Sequence, residues 1–130
     1  SNIVGRPMII LLSGDRPQGN AHVTLCHRYT PKEETIKMAQ QADILVVAVG
    51  IPNFVTAEMI KPGAVIIDIG ITRVEDATAK KGFRIKGDVN YEEACTKASA
   101  ITPVPGGVGL MTIAGLLKNT MKAYEASQNK

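Results

Sequence analysis

The stretches ADILVVAVGIP (Ala42–Pro52) and KPGAVIIDIGI (Lys61–Ile71) decide the fold of this chain. Within them, Ile44–Val49 and Ala64–Ile69 are nearly continuously apolar and rich in β-branched residues. Such runs are typical of strands that are covered on both faces, as in a parallel sheet. We therefore predict two buried parallel strands, each ending at a glycine.

Further strands and helices alternate on both sides of these stretches. The other strand-like runs are His22–Cys26, Ala100–Val104 and, more weakly, Arg84–Val89, and the helical patterns cover Ile3–Leu12, Lys32–Gln41, Tyr91–Ala98 and Val108–Ser127. This alternation predicts an α/β fold, a Rossmann-like, doubly wound and mainly parallel sheet with helices on both faces. Because such a sheet normally opens with a strand, we expect the first strand to be missing and the chain to be a fragment.

Length and composition favour one ordered domain over residues 1–130. The chain has 45% hydrophobic and 21% charged residues, close to ordinary globular usage. No apolar run reaches the roughly 18–20 residues that a membrane span needs, and no charged-then-apolar leader opens the chain. We therefore expect neither a membrane protein nor a secreted one.

The basic character of the chain does not indicate a nucleic-acid partner. The net charge is +3 and the pI about 9.0, but the basic residues are scattered, with one local cluster at Lys80, Lys81, Arg84 and Lys86. Only 4% of the residues are aromatic and tryptophan is absent, so no surface for stacking on bases is predicted. We interpret the cluster as a solvated loop and expect no nucleic-acid partner.

Cys26 and Cys95 are far apart and lack the spacing of a metal site or a CxxC motif. We expect two buried thiols in a reducing compartment and no bound metal. The compartment we expect is the cytoplasm, with the mitochondrion as the alternative.

The last helical pattern, Val108–Ser127, carries two apolar faces. Apolar residues follow helical spacing on both, with Leu110, Ile113, Leu117, Met121 and Tyr124 on the first and Met111, Ala114 and Leu116 on the second. Either one face meets the sheet and the other is a modest surface patch, or the second face packs against another domain or subunit.

The segments directly after the predicted strands are the candidate binding residues, because ligands of doubly wound sheets bind outside the carboxyl ends of the strands. These segments are His27–Arg28, Gly50–Pro52, Asp68–Thr72 and Pro103–Gly109. Glycine at a strand end lets a ligand approach the backbone, although a simple turn also explains Gly50. The glycine-rich turn Pro105–Gly109 is predicted to expose backbone groups to a flat ligand.

The opening segment and Arg28 indicate a dinucleotide. Ser1–Gly5 precedes a helix, whose free N–H groups and dipole favour a phosphate, and the chain lacks the GxxxxGK[ST] motif of nucleotide triphosphatases. About 20 residues farther on, where NAD-binding folds place an acidic residue, stands His27–Arg28. A guanidinium grips the 2′-phosphate of NADP, so we predict NADP over NAD, with an exposed surface arginine as the alternative.

These residues belong to an ordered set of motifs that resembles one enzyme family. The motifs are Ala42–Pro52 and Lys61–Ile71 together with Ser1–Pro7 (SNIVGRP), His27–Thr30 (HRYT), Gly87–Val89 (GDV), Ile101–Gly109 (ITPVPGGVG), Met111–Thr112 and Leu116–Thr120 (LLKNT). Nearly end to end, the chain resembles the C-terminal, NADP-binding domain of bifunctional methylenetetrahydrofolate dehydrogenase/methenyltetrahydrofolate cyclohydrolase.

The resemblance implies an enzyme of one-carbon folate metabolism. Members of the family oxidise 5,10-methylenetetrahydrofolate with NADP and then hydrolyse the methenyl product to 10-formyltetrahydrofolate. The resemblance assigns cofactor binding to Ser1, Ile3, Arg28, Val49, Gly50, Gly70, Ile71 and Thr112. It assigns folate binding to Pro105, Gly106, Gly107, Val108 and Gly109.

The resemblance also implies that this chain holds no catalytic residue, since the family's catalytic lysine and tyrosine belong to its N-terminal domain. His22, Asp43 and Asp68 have no neighbouring Lys or Tyr at a spacing that suits proton transfer. We therefore expect the chain alone to be inactive, with the N-terminal domain, tetrahydrofolate substrates and a second copy in a homodimer as partners. The alternative is a non-catalytic NADP-binding or scaffold protein derived from the family; a different NADP oxidoreductase is disfavoured by the folate turn.

Two positions depart from the family's pattern: Thr72 stands where members usually have Asn, and Leu110 where they have Pro. We expect the first to lose a polar contact near the nicotinamide and the second to loosen the turn before the last helix. We expect Gly106 and Gly107 to let a folate ring approach the backbone, with a turn that requires positive φ as the alternative.

Overall fold

The computed structural model describes residues 1–128 as a mixed α/β fold. The helices are α1 (Gly5–Ser13), α2 (Lys32–Ala39), α3 (Tyr91–Ala94) and α4 (Val108–Gln128), with a 3-10 turn at Ala57–Met59. The strands are β1 (Ile44–Val47), β2 (Val65–Asp68), β3 (Thr72–Glu75), β4 (Phe83–Lys86) and β5 (Ala100–Ile101).

β1, β2 and β5 form a parallel sheet with β2 in the centre. The register pairs Ile44 with Val65 and Val47 with Asp68 across β1 and β2, and Val65 with Ala100 across β2 and β5. The two stretches that decide the fold are therefore neighbouring parallel strands, and the predicted α/β fold class is confirmed. Because the strands are parallel, their carboxyl ends meet at one edge of the sheet.

The hydrophobic core lies around the centre of the sheet. Ile66, in the middle of β2, is fully buried, and the apolar residues buried with it are Ala39, Val47, Val55, Met59, Ile60, Ala64, Val89 and Ala94. These residues come from α2, β1, the 3-10 turn, α3 and the loops beside them. The removal of this apolar surface from water stabilises the sheet and so fixes the positions of its strand ends.

β3 and β4 form a separate antiparallel hairpin instead of joining the main sheet. The sequence predicts a weak strand at Arg84–Val89 and none at Thr72–Glu75, so it is wrong about the extent of β4 and misses β3. In each strand half-buried and exposed residues alternate, which suits a ribbon that is covered on one face only. The basic cluster is exposed on and beside this hairpin, where Arg84 pairs with Asp76.

The predicted strand at His22–Cys26 is wrong, because among residues 1–128 this segment pairs with no strand. It runs from Ala21, whose N–H donates to the Leu12 carbonyl at 2.8 Å, to a turn in which the Thr30 N–H donates to the His27 carbonyl at 2.8 Å. β-Branched residues favour strands, but a strand also needs a hydrogen-bonded neighbour. In the described chain, β1 has such a neighbour only in β2.

Several predicted elements are shorter than expected, most of all β5 and α3. β5 covers Ala100–Ile101 and ends before Pro103, since proline has no N–H to donate to a ladder. α3 covers Tyr91–Ala94, and Asn90 precedes it without a side-chain capping hydrogen bond.

α1 and α4 contain no buried residue. Along α4 the apolar side chains of both predicted faces are exposed, with Leu117 at 64% and Met111 at 70%. The expectation that one face packs on the sheet is therefore wrong for the part of the chain that the structure describes.

The described helices include none that is long and apolar enough to cross a membrane. Cys26 is half-buried and Cys95 is exposed, both as free thiols, so the prediction of two buried thiols is wrong for Cys95. Burial raises the pKa of the Cys26 thiol, and the hydrogen bond with Thr35 opposes this rise only in part.

Candidate functional site

The chain turns at Gly50, just beyond β1, with a φ of +74°, in the left-handed region that favours glycine. The backbone N–H groups of Val49 and Gly50 both donate to Oδ2 of Asp88, at 2.7 Å each. Hydrogen bonds to a charged acceptor are the stronger kind. A residue from the loop between β4 and α3 therefore shapes the end of β1.

Asp88 is the residue of this site that sequence reasoning missed. Its side chain is fully buried, and Oδ1 has no hydrogen-bond partner among the described residues. A Cβ atom on Gly70 would collide with the backbone N and the carboxylate of Asp88, so the chain beyond β2 passes directly against Asp88. The sequence signal for Asp88 is its place in the motif Gly87–Val89, whose spacing alone predicts no role.

Asp68, at the end of β2, joins the sheet to the same loop and lies within the sheet's end as expected. It is 4% exposed; its Oδ1 accepts hydrogen bonds from the N–H groups of Gly70 (2.8 Å) and Asp88 (3.1 Å), and its Oδ2 accepts one from Val89 (3.0 Å). A Cβ atom on Gly87 would collide with Oδ2. Donors on both oxygens stabilise a negatively charged carboxylate. Within residues 1–128, neither Asp68 nor Asp88 forms an ion pair.

A cavity of about 220 Å³ lies beside these strand ends. It is lined by Asp68, Ile69, Gly70, Ile71, Ile85, Thr112 and the stretch from Pro103 to Gly109. The cavity joins the predicted cofactor residues Gly70, Ile71 and Thr112 with the predicted folate turn Pro105–Gly109. Its walls are mostly aliphatic side chains and glycine, with the buried residue Asp68 among them, which suits a flat ring with a polar edge.

Val49 and Gly50 are connected to this cavity indirectly. They do not line it, but Asp88 binds their N–H groups and lies against Gly70, which does line it. The predicted cofactor residues at the ends of β1 and β2 therefore belong to one hydrogen-bonded unit.

Ser1, Ile3 and Arg28 lie outside the cavity. Ile3 is 87% exposed, and the Ser1 hydroxyl accepts a hydrogen bond from the Val4 N–H at the start of α1, at 3.1 Å. The exposed Arg28 stacks on Tyr29, with Cζ 4.7 Å from the ring centroid, and Nη2 donates to the Tyr29 hydroxyl at 2.7 Å. The structure thus does not bring these predicted residues together with the others.

The turn Pro105–Gly109 has a backbone reason for two of its glycines. Gly106 has a φ of +98°, and a Cβ atom on Gly107 would collide with the carbonyl oxygen of Pro103. The expectation that both glycines are needed chiefly for the approach of a folate ring is therefore not what the geometry favours. At Gly109, by contrast, a Cβ atom would meet no other atom within 4 Å.

A larger cavity, of about 290 Å³, shares Ile85 and Val104 with the first. Its other lining residues are Asn53, Lys86, Gly87, Val89, Asn90, Tyr91 and Glu92, none of which is a predicted binding residue. The neighbouring thiol of Cys95 raises the pKa of Tyr91 by its electrostatic effect. The described residues contain no group of three or more side chains that could hold a metal ion.

The NAD(P)-binding domain model of the tetrahydrofolate dehydrogenase/cyclohydrolase family matches residues 1–128. A curated relative, the bifunctional protein FolD of Amoebophilus asiaticus, is 58% identical over 120 residues, which are 92% of this chain and 40% of that protein. The chain thus spans about two-fifths of the length of that relative.

Two solved structures are similar throughout most of the chain. The 5,10-methylenetetrahydrofolate dehydrogenase of the silkworm Bombyx mori has a TM-score of 0.85 and 45% identity, covering 100% of this chain and 43% of that one. The methylenetetrahydrofolate dehydrogenase-cyclohydrolase of Trypanosoma brucei, solved with NADP and an inhibitor, has a TM-score of 0.79 and 43% identity, covering 85% of this chain and 37% of that one. This chain therefore belongs to the tetrahydrofolate dehydrogenase/cyclohydrolase family and matches its NAD(P)-binding domain.

Proposed function

We propose that residues 1–130 form the NADP-binding domain of an enzyme of one-carbon metabolism. The enzyme oxidises 5,10-methylenetetrahydrofolate to the methenyl form with NADP and hydrolyses that product to 10-formyltetrahydrofolate. Family membership supports this activity, as does the name of the Trypanosoma brucei protein, which joins dehydrogenase and cyclohydrolase.

The observation that carries the proposal is the cavity between the end of β2 and the Pro105–Gly109 turn. Gly70 and Ile71 line it together with that turn, so the surfaces assigned to cofactor and to folate face one space. Hydride transfer needs the two reacting carbons in near contact, so the two binding surfaces must adjoin each other.

The residues present fit a nicotinamide dinucleotide. At Gly50, a predicted cofactor residue, the space where a Cβ atom would stand is open, so the dinucleotide can approach the backbone. NADP, when bound, accepts the hydride. Gly70, Ile71 and Thr112 would hold the nicotinamide end in the cavity.

The remaining predicted residues would hold the rest of the dinucleotide. Val49 and Gly50 would contact it at the end of β1, and Ser1 and Ile3 at the start of α1. Arg28 would bind the 2′-phosphate, since its guanidinium is exposed and is not neutralised by a carboxylate within residues 1–128. This chain thus binds and orients, while proton transfer falls to the N-terminal domain.

The partners we propose are the tetrahydrofolate substrates, the N-terminal domain and a second copy in a homodimer. The two exposed apolar faces of α4 support contact with a further domain or subunit. The cytoplasm is the proposed compartment, with the mitochondrion as the alternative, and the two free thiols support a reducing environment.

The proposal is tested by assaying the full-length protein with 5,10-methylenetetrahydrofolate and NADP, following the methenyl product and its hydrolysis. We expect both activities from the full-length protein and neither from this chain alone, which still binds NADP. NADP binding without turnover by the full-length protein would favour the scaffold alternative.

Arg28→Ala tests the predicted cofactor preference. In the full-length enzyme we expect the KM for NADP to rise about ten- to hundredfold, because a charge-assisted contact of roughly 1.5–3 kcal/mol is lost. The KM for NAD should hardly change. The matched control is Arg84→Ala, which removes a guanidinium that pairs with Asp76 on the hairpin. Equal losses for NADP and NAD in Arg28→Ala would contradict the assignment.

A further inference from the structure

Two buried aspartates lie at or behind the wall of the cavity, and among residues 1–128 no buried cation balances them. Asp68 lines the cavity and is 4% exposed, and Asp88 behind it is 0% exposed. Within residues 1–128, Lys61 pairs with Asp43 and Arg84 with Asp76, and no Lys or Arg pairs with Asp68 or Asp88. Buried charges without a partner are costly, and they are concentrated at functional sites.

Hydrogen bonds hold the two carboxylates in position, but their donors are uncharged backbone groups. Backbone N–H groups donate to both oxygens of Asp68 and to Oδ2 of Asp88, while Oδ1 of Asp88 has no partner among residues 1–128. The carboxylate of Asp88 lies so close to Gly70 that a Cβ atom there would collide with it. Gly70, which lines the cavity, is therefore in close contact with the carboxylate of Asp88.

We propose that Asp68 and Asp88 make this site prefer the oxidised over the reduced nicotinamide cofactor. The nicotinamide ring carries a positive charge when oxidised and is neutral when reduced, whereas the rest of the dinucleotide is the same in both forms. A negative charge close to the ring, in a poorly hydrated wall, attracts the cation more strongly than it would in water. This inference rests on the proposed function, because it requires the nicotinamide to occupy this cavity.

Asp88→Asn in the full-length enzyme removes one negative charge while keeping an oxygen that can accept from Val49 and Gly50. Dissociation constants would be measured by calorimetry for oxidised NADP, for reduced NADPH and for adenosine 2′,5′-bisphosphate, which has no nicotinamide. We expect the preference for oxidised over reduced cofactor to fall about tenfold, or about 1.4 kcal/mol, while the bisphosphate binds as before. A purely structural role would weaken both forms of the cofactor equally.

Asp43→Asn is the matched control, because it also removes one carboxylate charge but at an exposed residue just before β1, at the opposite end of that strand. The preference of Asp43→Asn for oxidised over reduced cofactor should equal that of the wild type. An Asp88→Asn preference within twofold of the wild type would overturn the inference.

A second measurement does not depend on how the variant folds. In the wild type, the oxidised and the reduced cofactor are each compared with the bisphosphate. The gain in affinity over the bisphosphate should be larger for the oxidised cofactor. An equal or smaller gain for the oxidised cofactor would overturn the inference. Failure of the proposed function is distinct: a protein that is no NADP-binding enzyme would bind none of the three ligands, and the scaffold alternative would bind them without turnover of folate.

Discussion

The centre of the chain and its two flanks use apolar residues in opposite ways. In the central region, residues 39–107, apolar side chains such as Ile66 are fully buried around the parallel sheet. In the flanks, residues 1–38 and 108–128, no residue of α1 or α4 is buried, and Ile10 and Leu117 are 67% and 64% exposed. An apolar residue stabilises a fold only where another element covers it.

The same division separates most of the predicted site residues; the exceptions are at the start of α4, where Val108, Gly109 and Thr112 belong to a flank but line the cavity. Gly70, Ile71 and Pro105–Gly107 belong to the central region. There the carboxylates of Asp68 and Asp88 accept hydrogen bonds from backbone N–H groups just beyond β2 and β1. Ser1, Ile3 and Arg28 belong to the flanks, and their hydrogen bonds are local. The structure therefore brings the first group together in one cavity and leaves the second group apart.

The two regions should differ most in how much stability the truncation of an apolar side chain removes. Ile66→Ala should lower the free energy of unfolding of the chain by about 2–5 kcal/mol, because it leaves a cavity around a fully buried side chain. Leu117→Ala in α4 should change it by less than about 0.5 kcal/mol. Urea unfolding measures both. A loss at Leu117 as large as that at Ile66 would mean that α4 is covered in solution.

Gly107→Ala should have the next largest effect, at the border between the two regions. The added Cβ atom meets the Pro103 carbonyl, so we expect a loss of about 1–3 kcal/mol in urea unfolding. Gly109→Ala, within α4, is the matched control, because the added Cβ atom meets open space. We expect this variant to be more stable by about 0.5 kcal/mol. If Gly107→Ala retained full stability but lost folate turnover, the glycine would be there for the ligand instead.

The smallest effect we expect is on the hairpin, at Asp76. Hydrogen bonds from the Thr78 hydroxyl and N–H lower the pKa of Asp76 below its usual 3.8, with Arg84 adding a weaker effect and partial burial opposing them. A lowered pKa in the folded state stabilises the fold above pH 3.8, and this contribution disappears as the pH falls through the folded-state value. The difference in unfolding free energy between the wild type and Asp76→Asn should therefore shrink on acidification. Acid titration of both proteins checks this, and a difference that grows at low pH would contradict it.

Continuous apolar runs determined the central strands from the sequence alone. Ile44–Val49 and Ala64–Ile69 contain β1 and β2, because short apolar runs rich in β-branched residues favour buried strands over helices. Ordered motifs likewise identified the family, since backbone turns such as Pro105–Gly109 tolerate few other residues.

Only the tertiary structure decided which partner each segment finds. His22–Cys26 has a strand's composition but pairs with no strand among residues 1–128. The strand predicted at Arg84–Val89 is Phe83–Lys86, which pairs with Thr72–Glu75 outside the main sheet. Asp88 shows the same limit at the site: its carboxylate accepts hydrogen bonds from Val49 and Gly50, which are 39 and 38 residues away in the chain. Hydrogen bonds between a side chain and distant backbone groups leave no periodic pattern in a sequence, because they depend on which loops the packed core brings together.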